Sequence, residues 1–274
     1  MSAPTRLSRG LRATLLGFTL VVLVVIYTPL LLVVVNSFNA DRTFSWPPRR
    51  LTLHWWKVAA HSEGARAALW TSLEVAALAT VISLVLGTLA ALALRRTRFF
   101  GRSTVSLLII LPIALPGIVT GIALSNMFTS VLGVSLSILT IVVAHATFCI
   151  VTVFNNVQAR FARLGGNLEQ ASMDLGAGPF TTFRLVTFPM LRSALLAGAL
   201  LSFGLSFDEI VVTTFTASSR DQTLPIWIFQ NLFRPNQAPV VNVVAAVLVL
   251  LSAIPIYLAQ RLSGDSTEAM TGAR

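Results

Sequence analysis

The sequence predicts an all-α integral membrane protein with six transmembrane helices and with both termini in the cytoplasm. Hydrophobic residues make up 55% of its 274 positions and charged residues only 11%, and the mean hydropathy is +0.81. A soluble domain carries about 25% charged residues. Thirteen of the 20 basic residues fall in segments that we assign to the cytoplasm, as the positive-inside rule describes.

Six apolar runs define the predicted spans. A helix needs about 20 apolar residues to cross the hydrocarbon core. The first run is longer than the roughly 7–15 residues of a signal-peptide core, so we expect an uncleaved span after a cytoplasmic tail. The tail is residues 1–12, the spans are 13–35, 67–94, 103–128, 134–157, 191–217 and 240–260, and a second cytoplasmic tail is 261–274.

The connection between the first two spans, residues 36–66, contains a cluster of apolar and aromatic residues. Leu53, Trp55, Trp56 and Val58 indicate an amphipathic segment at the membrane interface, where Trp is favoured. We interpret this segment as a lipid-facing anchor, and a role in substrate gating is the alternative.

The third run contains two prolines and a pattern of small residues. Pro112 and Pro116 are expected to kink or break the helix. Gly117 and Gly121 stand four residues apart, which favours close helix packing. Broken helices often border a transport path, so the run fits a path-lining role and a purely structural role equally well.

Residues 158–190 form a long polar break on the arginine-rich side and contain a predicted helical hairpin. Asn167 can cap a first helix, with Gln170 three residues on. Gly176 is placed to adopt the left-handed conformation that ends a helix, and Pro179 suits the first turn of a second one. Such a hairpin presents an apolar face either to a partner or to the membrane surface.

This hairpin resembles the EAA loop of permease subunits of bacterial ABC importers. Residues 170–172 take the Glu-Ala-Ala places, Gly176 follows at the family spacing, and Pro189 closes the pattern. The sequence departs from the pattern in two places. Gln170 replaces the usual Glu, although Glu169 directly precedes it, and Ser172 replaces the second Ala.

The resemblance implies a type I ABC importer permease fold in the bacterial cytoplasmic membrane, with a cytoplasmic coupling hairpin. The implied partners are two copies of an ATP-binding ABC subunit, a second permease subunit, an extracytoplasmic substrate-binding protein and membrane lipid. ATP and Mg²⁺ are then bound by the ATPase, because this chain has no P-loop and Lys57 is its only lysine. The implied coupling residues are Glu169, Gln170, Ala171, Asp174, Gly176 and Pro189.

Three acidic residues lie inside the predicted spans. Asp208 and Glu209 are adjacent in the fifth span, and Glu74 lies near the outer end of the second. A carboxylate at membrane depth costs about 2.5–3.5 kcal/mol on insertion scales and usually faces a partner or a water-filled path. We predict that the three line the substrate path and favour a cationic solute. The alternative is that one acid lies at the membrane interface and the others bond to a partner subunit.

Residues 206–215, with the later TLPIWIF segment, resemble the polyamine branch of these permeases, the spermidine and putrescine importers. The resemblance extends from the first span to the sixth. It implies a substrate with two or more ammonium groups, which the carboxylates can meet. A permease for a different solute and a self-sufficient secondary transporter are the alternatives. The sequence contains neither the internal repeats nor the charge relay expected of a secondary transporter.

Catalytic and metal sites are not predicted, and we expect a transport subunit rather than an enzyme. The three histidines form no metal-ligand spacing, and Cys149 is a small hydrophobe in an apolar run. His145 is expected to be a hydrogen-bonded packing residue rather than a base. The net charge of +10 follows the membrane topology, so nucleic acid is not an expected partner.

Overall fold

The computed structural model describes residues 8–42, 46–97, 99–164 and 167–251, and the regular structure in these ranges is helical. A π-helical turn, Met127–Val131, follows the helix Gly117–Asn126, and another, Phe183–Thr187, joins the helices Pro179–Thr182 and Phe188–Phe207. The helices are α1 Arg9–Asn36, α2 His54–Ala60, α3 Glu63–Arg96, α4 Arg102–Ala114, α5 Gly117–Asn126, α6 Ile138–Arg163, α7 Asn167–Asp174, α8 Pro179–Thr182, α9 Phe188–Phe207, α10 Val211–Thr216, α11 Leu224–Leu232 and α12 Ala238–Leu251.

Several of these helices match the predicted spans. In the described ranges, four helical runs are long and apolar enough to cross a membrane: Gly10–Asn36, Glu63–Arg95, Ile138–Arg163 and Pro179–Phe207. The bent pair α4 and α5 makes a fifth if it counts as one span, and α12 is shorter. The predicted all-helical class is confirmed. Residues 1–7, 252–260 and the predicted tail 261–274 lie outside the described residues.

The third predicted span is divided at its second proline. Helices α4 and α5 are bent by 104° relative to each other. Pro116 is the N-cap of α5, and Leu115 before it is extended, with ψ of 143°. A proline disfavours helical backbone in the residue that precedes it, so the helix ends there. The predicted break is confirmed at Pro116, whereas Pro112 lies inside α4.

The fourth predicted span is displaced along the sequence. Helix α6 begins at Ile138 rather than at residue 134, and it continues to Arg163 rather than ending at residue 157. At its start, the backbone N–H of Ser137 donates to Thr140 Oγ1 at 2.8 Å. At its end, two arginines lie in the last turn, where cations are favoured by the helix dipole. Capping and charge therefore set these boundaries, and hydropathy alone misplaced them.

The fifth predicted span, 191–217, is not one continuous helix. Helix α9 ends at Phe207 and α10 begins at Val211, with a break at residues 208–210 between them. The Glu209 carboxylate accepts a hydrogen bond from the Val212 N–H at 2.8 Å. A side chain that satisfies a free N–H at a helix start stabilises a new helix, which explains why the predicted span is divided here.

The described residues form two compact units, 8–63 with 228–251, and 64–227. In the larger unit α6 is the central helix, and α9 packs along it. A core cluster joins α3, α6 and α9, and residues of α4 pack against it. The fully buried members of this cluster include Ala91, Val153, Val157 and Leu191. Helix α10 packs against α5 and α6.

The smaller unit contains α1, α2 and α12. The ring of Phe38 stacks on that of Trp56, with centroids 5.1 Å apart. Nearby, Arg42 Nη1 donates to Asn236 Oδ1 at 3.3 Å. The predicted amphipathic segment with its two tryptophans is helical as α2, and its position relative to a membrane remains a prediction.

A close approach between α3 and α6 depends on Gly87. A Cβ at this position would lie 2.9 Å from the carbonyl oxygen of Ile150 and 2.9 Å from Val153 Cβ. Because a backbone atom cannot move aside cheaply, we expect Gly87→Ala to lower the free energy of unfolding by roughly 1–3 kcal/mol, as overpacking does. Thermal unfolding of the purified chain in detergent measures this effect.

Gly204→Ala is the matched control, because a Cβ on Gly204 meets no atom within 4 Å. Gly204 is also helical, so the control gains the same helix propensity without the contact. Equal melting temperatures for the two variants would contradict the close approach.

Candidate functional site

The turn of the hairpin, between α7 and α8, is built on Gly176. Its φ of +86° is left-handed. The Gly176 N–H donates to the Met173 carbonyl at 2.9 Å, and the Ala177 N–H donates to the Ser172 carbonyl at 3.1 Å. These two bonds form the Schellman motif that closes a helix. The predicted left-handed turn is therefore confirmed. Helix α7 begins at Asn167, whose side chain lies outside the described residues.

The second arm of the hairpin begins at Pro179, as predicted, but it is not a separate short helix. Helix α8 continues through the π-helical turn Phe183–Thr187 into α9, and the whole run Pro179–Phe207 is helical. Pro189 lies in the first turn of α9, directly after the π-helical turn. A proline has no N–H and cannot continue an ordinary α-helical ladder, which accounts for a local change of helix type before it.

The two arms are tied by buried hydroxyl groups. Thr182 Oγ1 lies 3.1 Å from Ser172 Oγ. The Thr187 hydroxyl donates to Glu169 Oε1 at 2.6 Å. Both threonines are only 1% exposed, so these bonds are shielded from water. The small residue Ser172, a departure from the family pattern, therefore joins the two arms.

The base of the hairpin is also tied to α3 and α6. Arg95 Nη2 lies 3.5 Å from Glu169 Oε2, and the Arg95 guanidinium lies 4.2 Å from the centroid of the Phe161 ring. Arg160 Nε donates to the Met190 carbonyl at 2.9 Å. The Glu169 carboxylate, 14% exposed, therefore faces its own chain.

This geometry separates the members of the predicted coupling set, whose role in coupling stays a prediction. The family resemblance implies that Glu169 and Asp174 are both coupling residues. Glu169 bonds to Arg95 and Thr187, whereas Asp174 is exposed. Gln170 and Ala171 are exposed as well. Sequence reasoning missed the roles of Arg95 and Thr187. Arg95 lies outside the loop pattern and is distant in sequence, and Thr187 takes a place near the end of the pattern where no particular residue is specified.

The hairpin also exposes large apolar side chains. Leu175 is 89% exposed and Phe180 is 76% exposed, one on each side of the Gly176 turn. Leu168 at the start of α7 is 58% exposed. Large apolar side chains that are exposed in an otherwise polar segment indicate an interaction surface. We name Leu168, Leu175 and Phe180 the apolar tip.

The break after α9 carries the two adjacent acids, which differ in their contacts. Asp208 is exposed, and in the described part of the chain no hydrogen bond or ion pair engages its carboxylate. Glu209 is half-buried and caps α10 through Val212. The sequence treated them as an equivalent pair, whereas the structure leaves only Asp208 with a fully available carboxylate.

Glu74 lies on an exposed face of α3, one turn from Trp70 and one turn from Leu78. Within the described residues no hydrogen bond or ion pair joins Glu74 to Asp208 or to Glu209. Asp208 and Glu209 are therefore neighbours in the chain, whereas Glu74 is not bonded to either of them in the described residues.

Helix α10 is held closely on one side by the two glycines of α5. A Cβ on Gly121 would lie 2.7 Å from Phe215 Cδ2, and one on Gly117 would lie 3.3 Å from Val211 Cγ1. The predicted close packing of these glycines is confirmed, and its partner is the short helix after the break. The expected burial of His145 and Cys149 is also confirmed.

Comparison with known proteins identifies the kind of molecule that carries these features. Residues 83–267 match the family described as binding-protein-dependent transport system inner membrane component. The chain belongs to this family. It is 31% identical over 268 residues to the spermidine/putrescine transport system permease protein PotC of Escherichia coli (strain K12), covering 97% of this chain and 98% of that protein. It is 32% identical over 245 residues to the putrescine transport system permease protein PotI of the same strain, covering 86% and 83%.

Two solved structures share the permease fold. A chain from a bacterial ABC transporter involved in the import of the acidic polysaccharide alginate aligns with a TM-score of 0.71 at 14% identity, over 96% of this permease and 99% of that chain. A chain of the MetNI methionine ABC transporter in an inward-facing conformation aligns with a TM-score of 0.56 at 19% identity, over 73% and 97%. At these identities the likeness concerns the fold alone.

Family membership defines what this chain does at the level of the transport system. It is a multi-pass membrane permease, a transport subunit rather than an enzyme. Systems of this family work with a substrate-binding protein, and ATP hydrolysis belongs to a separate ATPase. The prediction of an ABC importer permease is thereby confirmed.

Proposed function

We propose that this permease carries a polyamine, putrescine or spermidine, across the bacterial cytoplasmic membrane by alternating access driven by a partner ATPase. The exposed Asp208 carboxylate at the break of a membrane helix carries the proposal. Ammonium groups form strong charge-assisted hydrogen bonds with carboxylates. Two relatives named for polyamine transport support the assignment, one over 97% of the chain.

The proposed topology has six spans and cytoplasmic termini, in a type I importer permease fold. The bent pair α4 and α5 is the third span, and α12 begins the sixth. The distribution of basic residues supports this orientation, because the hairpin and its neighbouring helix ends lie on the arginine-rich side.

The hairpin is the proposed contact with the ATPase. Its apolar tip fits a groove on another protein, and Gly176 sets the angle between its two arms. The exposed Gln170, Ala171 and Asp174 flank this surface. Two ATPase copies, with their ATP and Mg²⁺, then serve this chain and a second permease, and a binding protein delivers the substrate on the opposite side.

The helical run Pro179–Phe207 provides the mechanical link between hairpin and path. It contains 29 residues, which at about 1.5 Å per residue extend about 43 Å. One end lies beside the apolar tip and the other end lies beside Asp208. A displacement of the hairpin therefore reaches the break without crossing a flexible joint. The Glu169–Arg95 ion pair passes the same displacement to α3.

A groove of about 650 Å³ between α3 and α9 supports contact with the second permease. Its walls are apolar, as expected for a surface that packs against another helix in the membrane. The lining residues are Leu84, Val85, Thr88, Leu89, Leu92, Phe183, Phe188, Arg192, Leu195, Leu196 and Ala199.

The test is uptake of radiolabelled putrescine and spermidine into vesicles that contain this chain with its genomically neighbouring ATPase and permease. We expect ATP-dependent uptake that unlabelled polyamines compete and that amino acids and anions do not. ATP-dependent uptake of another solute would support the assignment as an ATP-driven permease and reject a polyamine as its substrate. Uptake by this chain alone, without ATP, would reject coupling through the hairpin and indicate a secondary transporter.

A further inference from the structure

A single buried ring joins the two sides of the break at residues 208–210. His145, on α6, is 0% exposed. Its Nδ1 lies 2.7 Å from the hydroxyl of Ser206, in the last turn of α9. Its Nε2 lies 2.8 Å from the hydroxyl of Thr213, on α10. The contacts therefore reach from one helix end to the other across the break.

The hydrogen-bond pattern determines which nitrogen carries the proton. The Thr213 hydroxyl donates its only proton to the Glu209 carbonyl oxygen, at 2.8 Å. Thr213 Oγ1 must therefore accept from an N–H on His145 Nε2. In the neutral ring Nδ1 is then an acceptor, and the Ser206 hydroxyl donates to it. Each polar atom in this chain of bonds has a partner.

The last bond of the chain reaches the acidic pair. Thr213 fixes the Glu209 carbonyl, and the Glu209 carboxylate in turn accepts from the Val212 N–H. On another side of α10, Phe215 packs against Gly121. The backbone that carries Asp208 is thus held through Glu209, while the Asp208 side chain itself stays exposed.

We propose that His145 is a positioning residue for substrate binding. Its ring fixes the backbone of the break and thereby the direction in which Asp208 presents its carboxylate. The proposal rests on the proposed cation path and adds a residue that touches neither substrate nor ATPase. It predicts an effect on the KM for uptake, because the bonds set the geometry of the binding group rather than the coupling of the hairpin.

Two substitutions separate hydrogen bonding from packing. In His145→Gln the amide has a donor and an acceptor about as far apart as the two ring nitrogens, so it can serve both hydroxyls. His145→Phe keeps an aromatic ring, larger by one ring atom, and serves neither. The matched control is Cys149→Ala, one turn further along the buried face of α6, where the thiol donates to the Ser202 carbonyl at 3.4 Å.

The experiment measures KM and maximal rate for putrescine and spermidine uptake, together with ATP hydrolysis, in the complete complex in vesicles. We expect His145→Phe to raise KM about tenfold, the equivalent of one charged-group hydrogen bond. We expect ATP hydrolysis and assembly to persist, and we expect His145→Gln and Cys149→Ala to stay near wild type. An unchanged KM in His145→Phe, or equal losses in the Gln and Phe variants, would overturn the proposal.

A second readout is independent of the substrate. Hydrogen exchange of the amides at residues 208–213, measured in the assembled complex, is expected to be at least about tenfold faster in His145→Phe than in His145→Gln, because local opening controls exchange. If the wild-type complex transports no polyamine, the proposed function fails while this comparison still tests the role of His145. Where His145→Phe does not assemble, Thr213→Val removes both bonds of the Thr213 hydroxyl, to His145 and to the Glu209 carbonyl, with little change of shape. Identical exchange rates in that variant and wild type would reject the role.

Discussion

Gly176→Pro is expected to abolish ATP-dependent uptake while the chain remains in the membrane. Gly176 has a φ of +86°, whereas proline holds φ near −65°. The substitution also removes the N–H that donates to Met173. Both changes destroy the turn that lies between Leu175 and Phe180, so the two arms of the hairpin are displaced. We expect co-purification with the ATPase and permease-stimulated ATP hydrolysis each to fall at least about tenfold. A tenfold fall corresponds to about 1.4 kcal/mol of lost binding free energy.

Gly178→Ala is the control for this prediction, two residues further along the same turn. Gly178 has φ of −67° and ψ of 164°, which alanine adopts before a proline without strain. A Cβ there meets no atom within 4 Å. This variant should couple normally. If Gly176→Pro also co-purifies with the ATPase and stimulates hydrolysis normally, then the hairpin is not the coupling element.

Gly176→Ala gives an intermediate test of the same mechanism. No neighbouring atom obstructs a Cβ at Gly176, so its cost is confined to the left-handed backbone, roughly 1–2 kcal/mol. We therefore expect Gly176→Ala to lose less ATPase co-purification and less stimulated ATP hydrolysis than Gly176→Pro does.

The turn of the hairpin could be predicted because it obeys local rules. A glycine at a helix end and a proline in the first turn of the next helix act through their own backbone, and the sequence displays both. The break at Pro116 was predictable for the same reason. In each case the cause lies within a few residues of its effect.

The Glu169–Arg95 ion pair could not be predicted in this way. It joins residues that are far apart in the chain, and the loop pattern marks only one of them. The break after Phe207 was missed because the surrounding residues are apolar enough to extend a span. The side chain of Glu209 and the ring of His145 decide the outcome there, and both act through tertiary contacts.

Asp208 and Glu209 are expected to differ in their effects on transport, because Asp208 is exposed whereas Glu209 caps α10. We expect Asp208→Asn to raise the KM for putrescine about tenfold to a hundredfold, because a hydrogen bond to a charged group contributes about 1.5–3 kcal/mol. Glu209→Gln should have the smaller effect. The amide oxygen can still accept from the Val212 N–H, so the cap of α10 survives the loss of charge.

The double variant, Asp208→Asn with Glu209→Gln, is expected to abolish cation uptake while the complex still assembles. Glu74→Gln is the control for removing an exposed carboxylate in a membrane helix, and its effect should be smaller than that of Asp208→Asn, because no contact links Glu74 to the break in the described residues. Uptake kinetics and assembly are measured on the same vesicles. Undiminished uptake in the double variant would mean that the acids at the break serve the fold alone. Equal losses in Asp208→Asn and Glu209→Gln would mean that charge at the break, rather than the freedom of one carboxylate, determines substrate binding.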